Sequence, residues 1–212
     1  MSDSSAPAVR MRRIVKSFGP VEVLKEVDLD IHAGEVHALA GENGAGKSTL
    51  MKVLQGVHPI TSGEIEVNGE PVKIRNPADA ERVGIGMVFQ EFSLVPSMTV
   101  AQNIFLNREL RSKLGLIDDR AAEREAARIF ADLGVSIDPA ARVETLGTAY
   151  WQLVEIAKAV AKNATVLVMD EPTASLASHE VERLFELIER LTARGIAIVY
   201  ISHRMDEIRR VA

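Results

Sequence analysis

Gly41-Glu42-Asn43-Gly44-Ala45-Gly46-Lys47-Ser48 fits the pattern G-x-x-x-x-G-K-S, and its surroundings decide what the fold is. The pattern carries weight only between a strand and a helix. Val36-His37-Ala38-Leu39-Ala40 precedes it as a short apolar strand, and Lys47 to Gln55 comes after it as a helical stretch stopped by Gly56. In that order the glycines let successive backbone N–H groups turn inward around phosphate oxygens, and the helix N-terminus adds a favourable dipole. Lys47 then reaches the β- and γ-phosphates, and the Ser48 hydroxyl ligates Mg²⁺. The candidate nucleotide contacts are therefore Gly41, Glu42, Asn43, Gly44, Ala45, Gly46, Lys47, Ser48 and Thr49.

Upstream of this loop, Val27, Leu29 and Ile31 alternate with Asp28 and Asp30, the period of a half-buried strand, so a mixed or antiparallel β region opens the domain from Val9. Downstream, Gly63 to Ile74 reads as a hairpin around Asn68-Gly69, and Gly84 to Phe89 as a further strand. Asn107 to Val143 is dense in charges of both signs on strong helix formers, which predicts a helical sub-domain with solvated faces. Leu153, Ile156, Ala157, Val160 and Ala161 fall on one face of a helix. Thr165 to Met169 and Ile196 to Ile201 are buried parallel strands, with Val181, Leu184, Phe185, Ile188 and Leu191 marking a helix between them. Alternating strands and helices imply an α/β sheet covered on both faces.

Composition limits the functional classes. At 212 residues, 47% hydrophobic and 26% charged, the chain reads as one continuous globular domain rather than a disordered or fibrous one. A net charge of -5 disfavours nonspecific binding to nucleic acid. The absence of cysteine excludes disulfides, thiolate metal sites and cysteine nucleophiles. No apolar run approaches the roughly 18 residues of a membrane span, and Met1 to Ala8 reads as a loose tail without a secretion signal.

A carboxylate at the end of a buried strand is needed to complete a metal-phosphate site. Val166-Leu167-Val168-Met169-Asp170-Glu171 supplies it: Asp170 would hold Mg²⁺ through its water shell, and Glu171 would polarise the water attacking the γ-phosphate. Together with the phosphate loop, this pair is a hydrolase signal, where alone it reads as a solvated turn.

Phosphate loop, Gln90 after Gly86-Met87-Val88-Phe89, Asp170-Glu171-Pro172-Thr173 and Tyr200-Ile201-Ser202-His203-Arg204 together resemble the nucleotide-binding subunit of an ABC transporter. Gly84 to Glu91, Val154 to Ala159 and Ile198 to His203 are similar to the first ATPase half of bacterial ribose-, galactose- and xylose-type importers. The resemblance implies an α/β P-loop NTPase of ABC type. Its sheet core would be mixed or parallel, with an N-terminal antiparallel β sub-domain and a helical sub-domain at about 100–162, in a nucleotide-binding domain of residues 9–212 behind a tail of 1–8. It also implies ATP and Mg²⁺ as cofactors, and site roles for several residues. Gln90 resembles the glutamine that contacts Mg²⁺ and relays its state to membrane subunits, within a coupling region at Phe89 to Pro96. His203 resembles the switch histidine at the γ-phosphate, Phe18 the aromatic stacked on adenine, and Ala174-Ser175-Leu176-Ala177 the segment crossing the dimer interface.

One stretch departs from the family. Where Leu-Ser-Gly-Gly-Gln is expected, the chain has Leu146-Gly147-Thr148-Ala149-Tyr150 followed by Trp151. Gly147, Thr148, Ala149 and Tyr150 would face the γ-phosphate of an opposite domain, and Gly147 removes the usual hydroxyl there; the bulky Tyr150-Trp151 pair would face a partner surface or pack at the helix start. The implied partners are a second nucleotide-binding domain, self or paralogue, transmembrane permease subunits and, indirectly, a periplasmic sugar-binding protein, with no nucleic acid. The implied location is peripheral, on the cytoplasmic face of the bacterial inner membrane. An ATP-binding but weakly active or regulatory module, and a soluble non-transport ABC ATPase, are the alternatives. The family continues beyond the short segment after His203, so the chain reads as a shortened or truncated form.

Overall fold

Two runs of alternating apolar and charged residues open the chain, and they pair as the alternation demands. In the computed structural model, which describes residues 6–41, 44–88 and 92–212, β1 (Val9–Phe18) and β2 (Val21–Ile31) are antiparallel, with Val9 opposite Ile31 and Phe18 opposite Val21. Next to β1 lies β4 (Ser62–Val67), which turns at Asn68-Gly69 into β5 (Glu70–Pro71), giving the sheet order β2-β1-β4-β5. A second sheet has the order β3-β8-β7-β6, from β3 (Val36–Leu39), β6 (Ile85–Val88), β7 (Val166–Asp170) and β8 (Ala197–Ile201). Within it, β8 runs parallel to both β3 and β7.

The described chain divides into two compact units: Met1–Met87, Ala164–Glu171 and Leu191–Ala212 form one, Val88–Asn163 and Pro172–Arg190 the other. In the first, helix α1 (Lys47–Leu54) buries Leu50, Met51, Val53 and Leu54 in a single core with Val9, Met11 and Ile14 of β1, Val166 and Val168 of β7, and Val199 and Ile201 of β8. Truncating Leu54, which is fully buried, to alanine costs about 2–5 kcal/mol by leaving a cavity there. The alternate side chains Leu167, Met169, Ile198 and Tyr200 are equally buried on the other face of the sheet, so both faces are covered. Gly56 stops α1 because its φ is 73° and a Cβ there would lie 2.3 Å from the Asn76 carbonyl oxygen. A short helix α2 (Pro77–Arg82) comes next, capped by the Asn76 side chain.

Three helices pack on one another in the second unit: α3 (Val100–Ile104), α4 (Asp119–Leu133) and α5 (Thr148–Ala161). Asp118 caps α4, Gly134 ends it in the left-handed conformation, and Ala122, Ala126, Ile129, Phe130 and Leu133 form its buried stripe. This unit is broader than the sub-domain expected at about 100–162, since it takes in residues 88–99 and 172–190. Helix α6 (Ser178–Ala193) arises where its apolar periodicity places it, and α7 (Met205–Val211) ends the chain.

Three expectations are corrected. Residues 107–117 are not helical: Arg111 bridges Ile117, the Ser112 N–H donates to the Leu116 carbonyl, and Gly115 turns at φ 78°, which leaves Leu114, Leu116 and Ile117 exposed. The tail does not reach Ala8, which is buried and accepts a hydrogen bond from the Asn68 N–H. On α5, Ile156 and Ala157 are buried as expected, together with Gln152, Val154, Glu155 and Ala159, whereas Leu153, Val160 and Ala161 are only half-buried, so two polar residues lie deeper than three of the expected apolar ones.

Candidate functional site

Parallel pairing sets the site's foundation. Leu39 lies level with Ile201, and Ile201 with Asp170, so β3, β8 and β7 end together. The glycine loop leaves β3, Asp170 closes β7, and Ser202-His203 extend from β8. In open parallel sheets the carboxyl edge is where ligands bind.

Gly46 is the N-cap of α1 with φ 85°, and a Cβ would approach Leu24 Cδ2 to 2.9 Å, so the turn into the helix requires glycine. Among the described residues no side-chain oxygen caps this helix, and its first turn holds no acid. An anion is therefore the natural occupant of that end. Lys47 arches back so that Nζ donates to the Gly41 carbonyl at 2.6 Å. Gly41, Gly44, Ala45 and Ser48 are exposed, and Lys47 and Thr49 half-buried. Glu42, Asn43 and Gln90, with Phe89 and Glu91, lie outside the described residues.

Burial, and then the neighbouring Glu171 charge, push the Asp170 carboxyl above its ordinary range, while Lys52 and Lys47 pull the other way. Such a group gains from an added cation. A carboxylate at a strand end and a hydroxyl at a helix start are oxygen donors of the kind Mg²⁺ takes, and among the described residues no cluster of three or more His, Asp and Glu could hold a metal ion.

Glu171 leaves the strand in the left-handed region, φ 45°, with its N–H donating to the Ile201 carbonyl at 3.0 Å. Its Oε1 lies 2.9 Å from His203 Nδ1. The two residues expected to act on the γ-phosphate are thus hydrogen-bonded to each other, with the imidazole 63% exposed. Buried Glu207 fixes the chain around His203: its Oε2 accepts from Tyr200 at 2.9 Å and from Ser202 at 3.0 Å, and Arg204 pairs with its Oε1 at 2.7 Å. Neither Glu207 nor Lys52 was legible in the sequence, since each reads as an ordinary solvated charge on a helix.

Phe18, at the end of β1, is 43% exposed rather than a core residue, with Lys16 Nζ 4.8 Å from its ring centroid and His58 meeting it edge-on at 5.0 Å. In the second unit, Gly147 is the N-cap of α5 at φ -72°, without a side-chain hydrogen bond, and a Cβ there meets nothing within 4 Å. Thr148, Ala149 and Tyr150 form the first turn, with Tyr150 38% exposed. Trp151 does not join Tyr150 in facing outward. Its indole N–H donates to the Val143 and Leu146 carbonyls, and its ring meets Phe92 edge-on at 5.5 Å.

Known proteins resemble this chain in sequence and in fold. A ribose import ATP-binding protein, RbsA 3 of Rubrobacter xylanophilus, is 52% identical over 206 residues, 97% of this chain and 41% of that protein. RbsA 2 of Escherichia coli O157:H7 is 51% identical over 97% of this chain and 40% of its own length. The chain thus spans about two fifths of the length of these curated relatives. A crystal structure of a nucleotide-free ATP-binding cassette from an ABC transporter superposes with a TM-score of 0.83 at 28% identity, over 96% of this chain and 84% of that one. The family described as ABC transporter matches residues 24–174. That stretch runs from β2 through the phosphate loop to the Asp170-Glu171 pair, and on this match the chain belongs to the ABC transporter family.

Proposed function

We propose that this chain binds and hydrolyses ATP as the nucleotide-binding part of an ABC importer for a simple sugar such as ribose. The observation that carries the reading is the convergence of the capless α1 N-terminus, Asp170 and the Glu171–His203 pair at the ends of three parallel strands. The loop from Gly41 to Gly46, with Lys47, would cradle the phosphates, and Thr49 would support the same turn. Ser48, Asp170 and Gln90 would hold Mg²⁺, whose chemistry is to bridge and neutralise phosphate oxygens. Glu171 would take the proton of the attacking water, and His203, hydrogen-bonded to it, would contact the γ-phosphate. Phe18 is exposed enough to stack on adenine once Lys16 yields that face.

The remaining partners belong to the same proposal: a second nucleotide-binding domain contacting Gly147 to Tyr150, permease subunits at the cytoplasmic face of the bacterial inner membrane, and a periplasmic sugar-binding protein beyond them. None of the helices described is long and apolar enough to cross a membrane, so membrane attachment would come through the permease. A second reading, an ATP-binding module of low turnover, is favoured by one observation, the missing side-chain cap at Gly147.

Two measurements test the proposal. Lys47→Ala is expected to weaken ATP binding about 30–100-fold, the loss of a charge-assisted contact, read by titration with a fluorescent ATP analogue; unchanged affinity would contradict the site. Purification from detergent-solubilised membranes of the source cells should recover a permease with the chain. Recovery with ribosomes or DNA and no permease would favour a non-transport ATPase.

A further inference from the structure

Helix α5 buries a carboxylate that the proposed chemistry does not use. Glu155 is 4% exposed, and its Oε1 accepts two hydrogen bonds from Ser93, from the N–H at 2.6 Å and from the hydroxyl at 2.8 Å. Lys158 Nζ donates to the same hydroxyl at 3.0 Å. An ammonium has no acceptor capacity, so the hydroxyl takes the lysine's hydrogen and gives its own to the carboxylate, in a chain from Lys158 through Ser93 to Glu155. One residue earlier, Phe92 meets Trp151, whose indole is itself tied to the Val143 and Leu146 carbonyls. Two consecutive residues are thus fastened to one helix at positions a turn apart, 151 and 155. All of these residues lie in the second unit.

A buried charge is costly to keep unless its partners require it. Here the partner is the main chain and hydroxyl of Ser93, three residues after Gln90. We propose that Glu155 is a positioning residue that makes residues 92–93 and α5 move as one piece, carrying a change at Gln90 to the helix start at Gly147 to Tyr150. The inference rests on the roles given above to Gln90 and to that first turn. Glu155 stands seven residues beyond Thr148, about 10 Å along the helix, a distance a hydrogen-bonded helix transmits without bending. An apolar side chain would fill the same space but could not hold the Ser93 N–H.

The test uses the intact polypeptide with Glu155→Ala, Glu155→Gln and Ser93→Ala, reading ATP affinity and backbone hydrogen exchange at Tyr150 and Trp151, whose N–H groups both bond to the Gly147 carbonyl. ATP is expected to slow exchange there by about tenfold in the wild type. Glu155→Ala should abolish that response while ATP affinity stays within about twofold. Ser93→Ala, which keeps the N–H bond, should lose part of it, and Glu155→Gln, whose amide oxygen still accepts, should retain most. A full response in Glu155→Ala overturns the proposal. So does equal loss in all three variants together with loss of ATP affinity, the mark of a packing residue. A wild type that binds ATP without any change at these amides sinks this inference alone, whereas one that binds no ATP sinks the functional reading beneath it.

Discussion

Asp170 and Glu171 are adjacent carboxylates that their backbones place in different surroundings. Asp170 still belongs to the strand and is level with Ile201, so burial raises its pKa, whereas Glu171 turns at φ 45° toward His203. The sign of the Asp170 effect is definite. A raised carboxyl pKa means the fold favours the protonated form, so ionised Asp170 subtracts stability above its folded pKa, and the burden lifts as pH falls through that value. Asp170→Asn should therefore raise the melting temperature of the nucleotide-free chain, while Mg-ATP loses its stabilising effect. Calorimetry with and without Mg-ATP checks both halves, and a lower melting temperature in the variant would contradict the burial argument. The loop-to-helix turn at Lys47 and Ser48 and the strand end at Asp170 were legible in the sequence because each belongs to a short motif whose geometry is local. Glu207 and Glu155 were not, because their importance comes from what folds against them, and a lone charge on a helix looks the same whether it is solvated or buried.

At the scale of elements, the start of α5 and the turn before β3 each make a prediction. Nothing sterically requires glycine at 147, where φ is -72° and a Cβ meets no neighbour. Gly147→Ser should stabilise the chain by only a few tenths of a kcal/mol, since glycine is already an acceptable N-cap. If this turn faces a second nucleotide, the same change should raise ATPase activity in the assembled dimer about two- to tenfold, the rate equivalent of one net hydrogen bond. No rise would show that the hydroxyl is not missed. Near the start of β3, His37 Nε2 accepts the His32 N–H at 2.7 Å, with the two rings stacked at 5.9 Å and Glu35 3.6 Å away. Burial, opposed by Glu35, holds this imidazole below its ordinary pKa. Its contribution to stability is complete above about pH 6.5 and is lost as pH falls through the lowered value. Urea midpoints at about pH 7.5 and about pH 5.5 should drop more for the wild type than for His37→Gln; equal drops would exclude His37 as a source of acid lability. Strands and long helices emerged from periodicity, but residues 107–117 did not. Their charges suggested a helix, whereas Ser112 and Gly115 close a hairpin that no apolar period forbids.

For the whole molecule, the α/β class was legible because β3, β7 and β8 are short apolar runs and the glycine loop requires a helix directly after the first of them. The full extent of the helical unit was not, since residues 172–190 join it from a distant part of the sequence, through contacts that no local pattern records. The carboxyl edge of the parallel sheet in the first unit is, on the proposed function, the seat of ATP chemistry, and the proton transfer falls to Glu171. The most direct measurement compares wild type and Glu171→Gln for ATP binding and for phosphate release in the assembled complex. ATP affinity should be preserved in the variant with phosphate release lowered by about 100-fold or more; equal release from both proteins would contradict the assignment.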